Sequence, residues 1–518
     1  MSRRKRIFII AGAVLVLALL VPCIHHWRLR AAAEAYVAEL KARGEPIDLA
    51  QVIPPAVPPE RNGAPLITNA LDRLPTSCIA TTNAPPAMRM VALGKAMMAW
   101  QQPAIRAIYW ATNSWEDLGD EMNDARTDLA QFRSLIDRPV LDFNLDYHQG
   151  PALQFPHLAK LKQAAQWLLS SALYNLHRGK PADACTDVRA MLAMVEGEAD
   201  ERLGISQLVR MAIADMALAA TWEILQYPGV SDADLVRLQQ HWQSLEFISP
   251  LERALLVERI NHQQAARKTL RIIHEFRQSL AQLIRQAQDD TPDKVSYSKK
   301  MLAWIQFKWD EAQWRWFWSY EDEVRGLEAW QVVIGATRMM ETNSSFQQAR
   351  TFAHSNFVRL GFETEAGEAE RGNYLDADKP LDRRRIFSEV SYSSFKMLAK
   401  AATTETRRNL VVAAIAFKRF ELRHHRLPST LGELTPDLLK STPTDYMDGQ
   451  PLRYLLTEND GFVLYSVGED GRDDGGDPRP PGESTSVAWQ RGRDWVWPMP
   501  ATAEELQAYD AKISSKSH

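Results

Sequence analysis

The chain has little cysteine, little histidine and no surplus of either charge. Its 518 residues include 3 cysteines and 12 histidines, and 61 basic residues stand against 65 acidic ones, a net charge of −4. So few cysteines exclude a disulfide-stapled scaffold. Cys23 sits in an apolar N-terminal run, which leaves Cys78 and Cys185 either as a pair in an oxidising compartment or as two separate thiols. Without a basic surplus, nucleic acid is not an expected partner. Four of the histidines fall in adjacent pairs, His25-His26 and His424-His425, and adjacent positions on a helix diverge by about 100°, so neither pair is a chelate; both read as surface residues. His274-Glu275 opens like a zinc-protease helix, but Gln278 stands where the second histidine is required. There is no G-x-S-x-G elbow, no phosphate-binding glycine loop and no C-x-x-C. Nor is there a fixed repeat of about 34 or 40 residues. With no catalytic motif, the balance favours a non-catalytic protein.

What the sequence does contain begins at the N-terminus. Arg3-Arg4-Lys5-Arg6 precedes an apolar run, Ile7 to Ile24. Eighteen residues make about 27 Å of helix, enough to span a bilayer core. The basic flank keeps that end in the cytoplasm, so the expectation is a single-pass anchor in the inner membrane, with the bulk of the chain on the extracytoplasmic side. A cleaved signal peptide is the rival reading.

Residues 1–30 are thus read as flank and anchor, and 31–86 as a juxtamembrane helix, Ala31 to Arg43, followed by a spacer whose Pro54-Pro55 and Pro58-Pro59 exclude helix. Residues 87–360 read as a large irregular helical bundle. Helical patterns run over Met88–Thr112, Pro156–His177, Ala182–Gly197, Ile205–Leu225 and Ala233–Leu245, the last capped by Ser231, with a long helix from Pro250 through Leu283. Glu252, Arg253, Glu258 and Arg259 on that helix read as pairs along the helix surface, with an inward ionic cluster as the alternative. Trp304, Trp309, Trp314, Trp316, Trp318 and Trp330 crowd one stretch with Phe307 and Phe317. That stretch is either a core helix or a contact surface, the latter a membrane-interface belt or a groove for carbohydrate or peptide.

Residues 361–385 read as a linker and 386–482 as a small α+β module, followed by a tryptophan-rich tail, 483–518. The module carries an amphipathic helix through Leu410, Ala413, Ala414, Phe417 and Phe420. Leu427-Pro428 and a segment from Pro443 to Pro451 follow. Two strand-like runs, 452–456 and 462–467, are then joined through Asn459-Asp460-Gly461, a hairpin signal. Next comes the acidic loop Gly468-Glu469-Asp470-Gly471-Arg472-Asp473-Asp474-Gly475-Gly476-Asp477, whose carboxylates could surround a hard cation or form a plain solvated turn.

This order of parts resembles the soluble part of the major pseudopilin of type II secretion systems, with its P-x-D-x-x-G-x-P-x-x-Y element and S-x-G-x-D-G loop. The matching residues are Leu427, Pro428, Leu431, Leu434, Pro443, Asp445, Gly449, Pro451, Tyr454, Ser466, Gly468, Asp470 and Gly471, within a stretch of roughly 70 residues. The resemblance implies a structural calcium ion, Ca2+, in the loop at Asp470, with Asp473, Asp474 and Asp477 as further candidate ligands by proximity. It also implies protein partners in an envelope assembly. Some 380 residues separate the apolar run from the module's helix, so an ordinary pilin subunit is excluded. The expectation is a membrane-anchored scaffold or interaction protein. An envelope enzyme or ligand-binding protein, acting on cell-wall or carbohydrate material through the tryptophan-rich stretch, is the alternative.

Overall fold

The computed structural model describes residues 3–108, 111–268, 314, 316–362, 388–457, 461–482, 484 and 486–516, without the side chains of residues 3–19, 22, 108, 151, 266–268, 389–390, 490 and 514–516. It is mainly helical with small sheets. The helices are α1 (Arg3–Ala42), α2 (Ala64–Arg73), α3 (Trp115–Asp124), α4 (Arg126–Arg133), α5 (Pro156–His177), α6 (Pro181–Gly197), α7 (Gly204–Leu225), α8 (Asp232–Ser244), α9 (Ile248–Lys268), α10 (Ser319–Asn343), α11 (Phe346–Arg359), α12 (Ser388–Ser393), α13 (Phe395–His424) and α14 (Ala503–Lys516), with a helical turn at Ile79–Thr82.

Helices α5 to α8 follow the sequence pattern closely. Pro156 opens α5 at a position where no amide hydrogen is needed. The Ser231 hydroxyl accepts from Asp234 N at 3.1 Å and starts α8. At the other end of the chain, α13 stops where His425 turns left-handed at φ 56°, its N–H donating to Glu421 O at 2.8 Å. Between 388 and 424 the chain forms two helices, α12 and α13. The long helix expected to reach Leu283 is described as far as Lys268.

One core of buried apolar residues runs from Ala64 to Trp497, drawing on the bundle, the module and the tail together. Helix α13 is central to it: it packs on α7 and α8 on one side and on the hairpin strands on the other. A fully buried leucine or tryptophan contributes about 2–3 kcal/mol, and residues such as Trp167, Trp222, Trp242 and Trp495 lie almost wholly inside.

Three sequence expectations fail. First, Met88–Thr112 is not a helix. It forms two short hairpins, β1 (Arg89–Ala92) with β2 (Lys95–Met97) and β3 (Ile105–Ile108) with β4 (Ala111–Asn113). Gly94 turns the first at φ 65°, a conformation that favours glycine. The helical spacing is overridden by long-range partners. Glu223 on α7, wholly buried, accepts from Met88 N at 2.8 Å and Ala99 N at 3.0 Å. Burial pushes its carboxyl up to about 8 against the pull of those N–H groups. Second, Ala31–Arg43 is no separate element but the end of one continuous helix, α1. No proline or glycine falls between Pro22 and Gly44.

Third, the charged residues of α9 do not pair along the helix surface. Glu258, half-buried, accepts from Gly204 N at 3.0 Å. Arg253 reaches Asp200 at 3.2 Å. Arg338 Nε meets Glu252 at 2.6 Å, and the buried Arg259 meets Glu45 at 3.1 Å. Each of the four meets a partner on a different element, so tertiary partners replace neighbours on the same helix.

The remaining sheet belongs to the C-terminal part. Strands β5 (Arg453–Leu456) and β6 (Phe462–Ser466) pair antiparallel, in agreement with the hairpin signal, although residues 458–460 at its tip lie outside the described residues. β7 (Trp495–Val496) adds to β6, and β8 (Met499–Pro500) pairs parallel with β2. The tryptophan-rich tail is therefore a structural strap: Trp489, Trp495 and Trp497 are buried, and Trp222 Nε1 donates to Pro498 O at 2.7 Å.

Residues 363–387, most of the expected linker, lie outside the described residues. Most of the apolar run from Ile7 lies on residues whose side chains are likewise outside them. Among the described residues no helix is long and apolar enough to cross a membrane.

Candidate functional site

Two polar centres stand out from the apolar packing. One is the acidic loop and what holds it. The other is a buried cluster with no signal in the sequence.

The loop is organised by two buried aspartates outside it. Asp445, fully buried, accepts from Ser466 Oγ at 2.8 Å, Val467 N at 2.9 Å, Met447 N at 3.0 Å and Arg453 Nη1 at 3.1 Å. It ties the segment between Pro443 and Pro451 to the end of β6. Burial pushes its carboxyl up to about 6, against the pull of these donors. Asp494, also fully buried, accepts from Gly476 N at 2.7 Å and from Asp474 N and Asp477 N at 3.1 Å each. Three N–H groups within residues 474–477 thus point at one carboxylate. Gly468 closes the other end at φ 68°, where an added Cβ would lie 2.8 Å from Arg493 O.

The four loop aspartates have separate surroundings. Asp470 accepts from Arg472 N at 3.0 Å in a local turn. Asp473 accepts from the Tyr465 hydroxyl at 2.9 Å and Gly475 N at 3.0 Å, and faces Arg453 at 3.6 Å. Partial burial opposes ionisation there, but those partners together hold the carboxyl below its usual range. Asp477 is held low chiefly by Arg479, with Arg493 3.5 Å away. Asp474 is exposed. Among the described residues no three of these carboxylates converge on one point to within 4.8 Å.

Sequence reasoning missed the second centre. His157 stands in the first turn of α5, while Glu198 and Glu201 lie in the short turn between α6 and α7. Their ligand atoms all lie within 4.8 Å of one another, the one such group among the described residues. His157 Nε2 is 2.9 Å from Glu201 Oε2, and its ring stacks on Phe143 with centroids 4.3 Å apart. Ser206 Oγ donates to Glu201 Oε1, and Gln207 Nε2 donates to Glu201 O at 2.9 Å and Glu198 O at 3.3 Å. Glu198 has no exposed surface, and neither carboxylate oxygen has a hydrogen-bond partner. Burial, reinforced by Glu201, pushes its carboxyl well up; Arg210 acts the other way. Arg210 spends its Nε on Val195 O and lies over the Phe247 ring at 4.5 Å. The separation of 44 residues between His157 and Glu201 hides the group from any spacing rule.

The aromatic stretch divides. Trp314 and Trp330 are buried, Trp314 donating to Asp322 at 3.2 Å, whereas Trp316 and Phe317 are exposed. Trp304, Phe307 and Trp309 lie outside the described residues. Cys78 and Cys185 are free thiols. A cleft of about 300 Å³ lies elsewhere, beside Arg89, Gln102, Arg106, Trp115 and Tyr509. Comparison with protein families, curated proteins and solved structures finds no match to this chain.

Proposed function

We propose that this protein is a membrane-anchored, non-catalytic envelope protein, a scaffold or interaction component linked to a type II secretion or pilus-like apparatus. The observation that carries the reading is the bonding within the C-terminal module. The residues that resemble a pseudopilin are joined to one another: Asp445 binds Ser466 and its neighbour, and the Tyr454 hydroxyl donates to Pro428 O at 2.7 Å. Tyr454 also stacks on Phe417 of α13 with centroids 4.7 Å apart. Helix, Leu-Pro turn, aspartate element and hairpin are thereby one cooperative unit, which is what a reused module requires.

Support for the membrane comes from the end of the apolar run. Leu20, Val21, Ile24 and Trp27 are exposed, Trp27 by 70%. Trp316 and Phe317 stand beside them, because His26 Nδ1 lies 3.1 Å from Trp316 O and its ring meets those of Trp316 and Tyr320. Exposed tryptophans at the foot of an apolar helix suit a headgroup layer. A groove for carbohydrate has less support, since Trp314 and Trp330 are inside.

A structural calcium ion at Asp470 belongs to the same reading. Calcium bound only by the folded chain, at a hundredfold over its dissociation constant, is expected to stabilise by about 2.7 kcal/mol. Denaturant unfolding with and without calcium, in wild type and Asp470→Ala, measures it. An equal response from both proteins, or none from either, removes calcium from the proposal. The anchor is tested by where the full-length chain resides: deletion of residues 1–30 is expected to release it from membranes.

A further inference from the structure

We propose that His157, Glu198 and Glu201 form a second, enclosed metal site, which takes a divalent transition ion of the Zn2+ class and serves the fold. The argument starts from Glu198. Polar groups with no exposed surface almost always find partners, and an unpaired carboxylate in an apolar interior is among the costliest groups to bury. Both Glu198 oxygens lack a partner, and they lie with Glu201 and His157 inside a 4.8 Å group.

The surroundings supply one negative charge too many for the partners they offer. Glu201 has His157 Nε2, Ser206 Oγ and the amino end of α7 near it. Among the described residues the cation that acts on Glu198 is Arg210, and its guanidinium donates to Val195 O and Gln207 Oε1. Glu258, the remaining carboxylate at this end of α7, is occupied by Gly204 N. A divalent cation between the two glutamates and the imidazole nitrogen would satisfy all three ligands together.

The donor set narrows the ion. One imidazole nitrogen with two carboxylates suits Zn2+, or Mn2+ and Fe2+ next, whereas Ca2+ takes six or more oxygens. The oriented donors behind the group, Ser206 on Glu201 and Gln207 on both backbone carbonyls, are the kind that fix ligands at metal sites. Such an ion would clamp the first turn of α5 to the turn between α6 and α7. Three ligands come from the chain, leaving water for the fourth position.

The experiment uses the full-length protein in detergent, freed of metal by chelator, and titrated with Zn2+ by calorimetry. One equivalent per chain is expected, with a rise in the unfolding midpoint. Binding should weaken at least tenfold from pH 7 to pH 5, because the ligands must lose protons to bind. Glu198→Gln keeps the shape of the uncharged acid, so it should fold normally and lose the Zn2+ response. Asp470→Ala should retain it. Cobalt offers a reading that needs no variant: Co2+ in the wild type is expected to show the visible absorption of a four-coordinate nitrogen and oxygen site. Absence of stoichiometric binding, a Co2+ spectrum of the hexaaqua ion, or a Glu198→Gln protein that binds as wild type does would overturn the assignment.

Discussion

Replacing Asp445 by alanine is expected to destabilise the protein by about 4 kcal/mol, the sum of several groups left unsatisfied inside the fold. Asp445 has no exposed surface and receives two backbone N–H groups, a serine hydroxyl and an arginine. Alanine removes the acceptor and leaves Met447 N, Val467 N and Ser466 Oγ without it. Arg453 keeps Asp448, which limits the loss from that partner. Asparagine is not a safe substitute, since its amide can accept on one side only and would present N–H groups to Val467 N and Arg453. Urea unfolding should therefore show both variants well below wild type. Proteolysis should begin between 443 and 482, the segment Asp445 holds closed. Near-wild-type stability in Asp445→Ala would mean the module is held by its apolar contacts alone.

Glu45→Ala is expected to cost about 3 kcal/mol. Glu45 follows the end of α1 and accepts from Arg259 of α9 and Arg338 of α10. Arg259 is 1% exposed and also donates to Pro46 O and Gln331, so the loss of Glu45 leaves a buried cation with neutral acceptors only. Arg338 retains Glu252 at 2.6 Å and part of its surface in water, and it suffers less. The mechanism makes a second prediction within the same cycle. Adding Arg259→Met to Glu45→Ala should recover much of the loss, because an apolar side chain of similar length needs no counter-charge there. Equal or greater loss in the double variant would assign the effect to packing. This pair joins the base of α1 to the bundle.

Much of the helical architecture was legible because its signals are local. Apolar spacing and Ser231 or Pro156 at a start specify α5 to α8 within a residue or two, and Asn459-Asp460-Gly461 between two apolar runs specifies the β5–β6 hairpin. What was not legible depends on distant partners. The strands at 89–97 owe their form to Glu223, 135 residues from Met88, and to Met499–Pro500 near the other end of the chain. The charges on α9 suggest pairing along one helix, and only the packed bundle gives Arg259 to Glu45. The acidic loop drew attention to its own carboxylates, yet the residue that organises its backbone is Asp494, beyond a proline break. His157 and Glu198 belong to separate helical patterns, each unremarkable alone.

The central claim is that α1 anchors this body in a membrane, with the bundle and the module on the far side from the basic N-terminus. Its most direct measurement is sidedness of the full-length chain in spheroplasts, after confirming that alkaline carbonate leaves it in the membrane pellet. External protease is expected to degrade the bundle and module while a tag placed before Ser2 survives until the membrane is permeabilised. A chain washed off by carbonate, or a bundle protected until permeabilisation with the N-terminal tag cut first, contradicts the account.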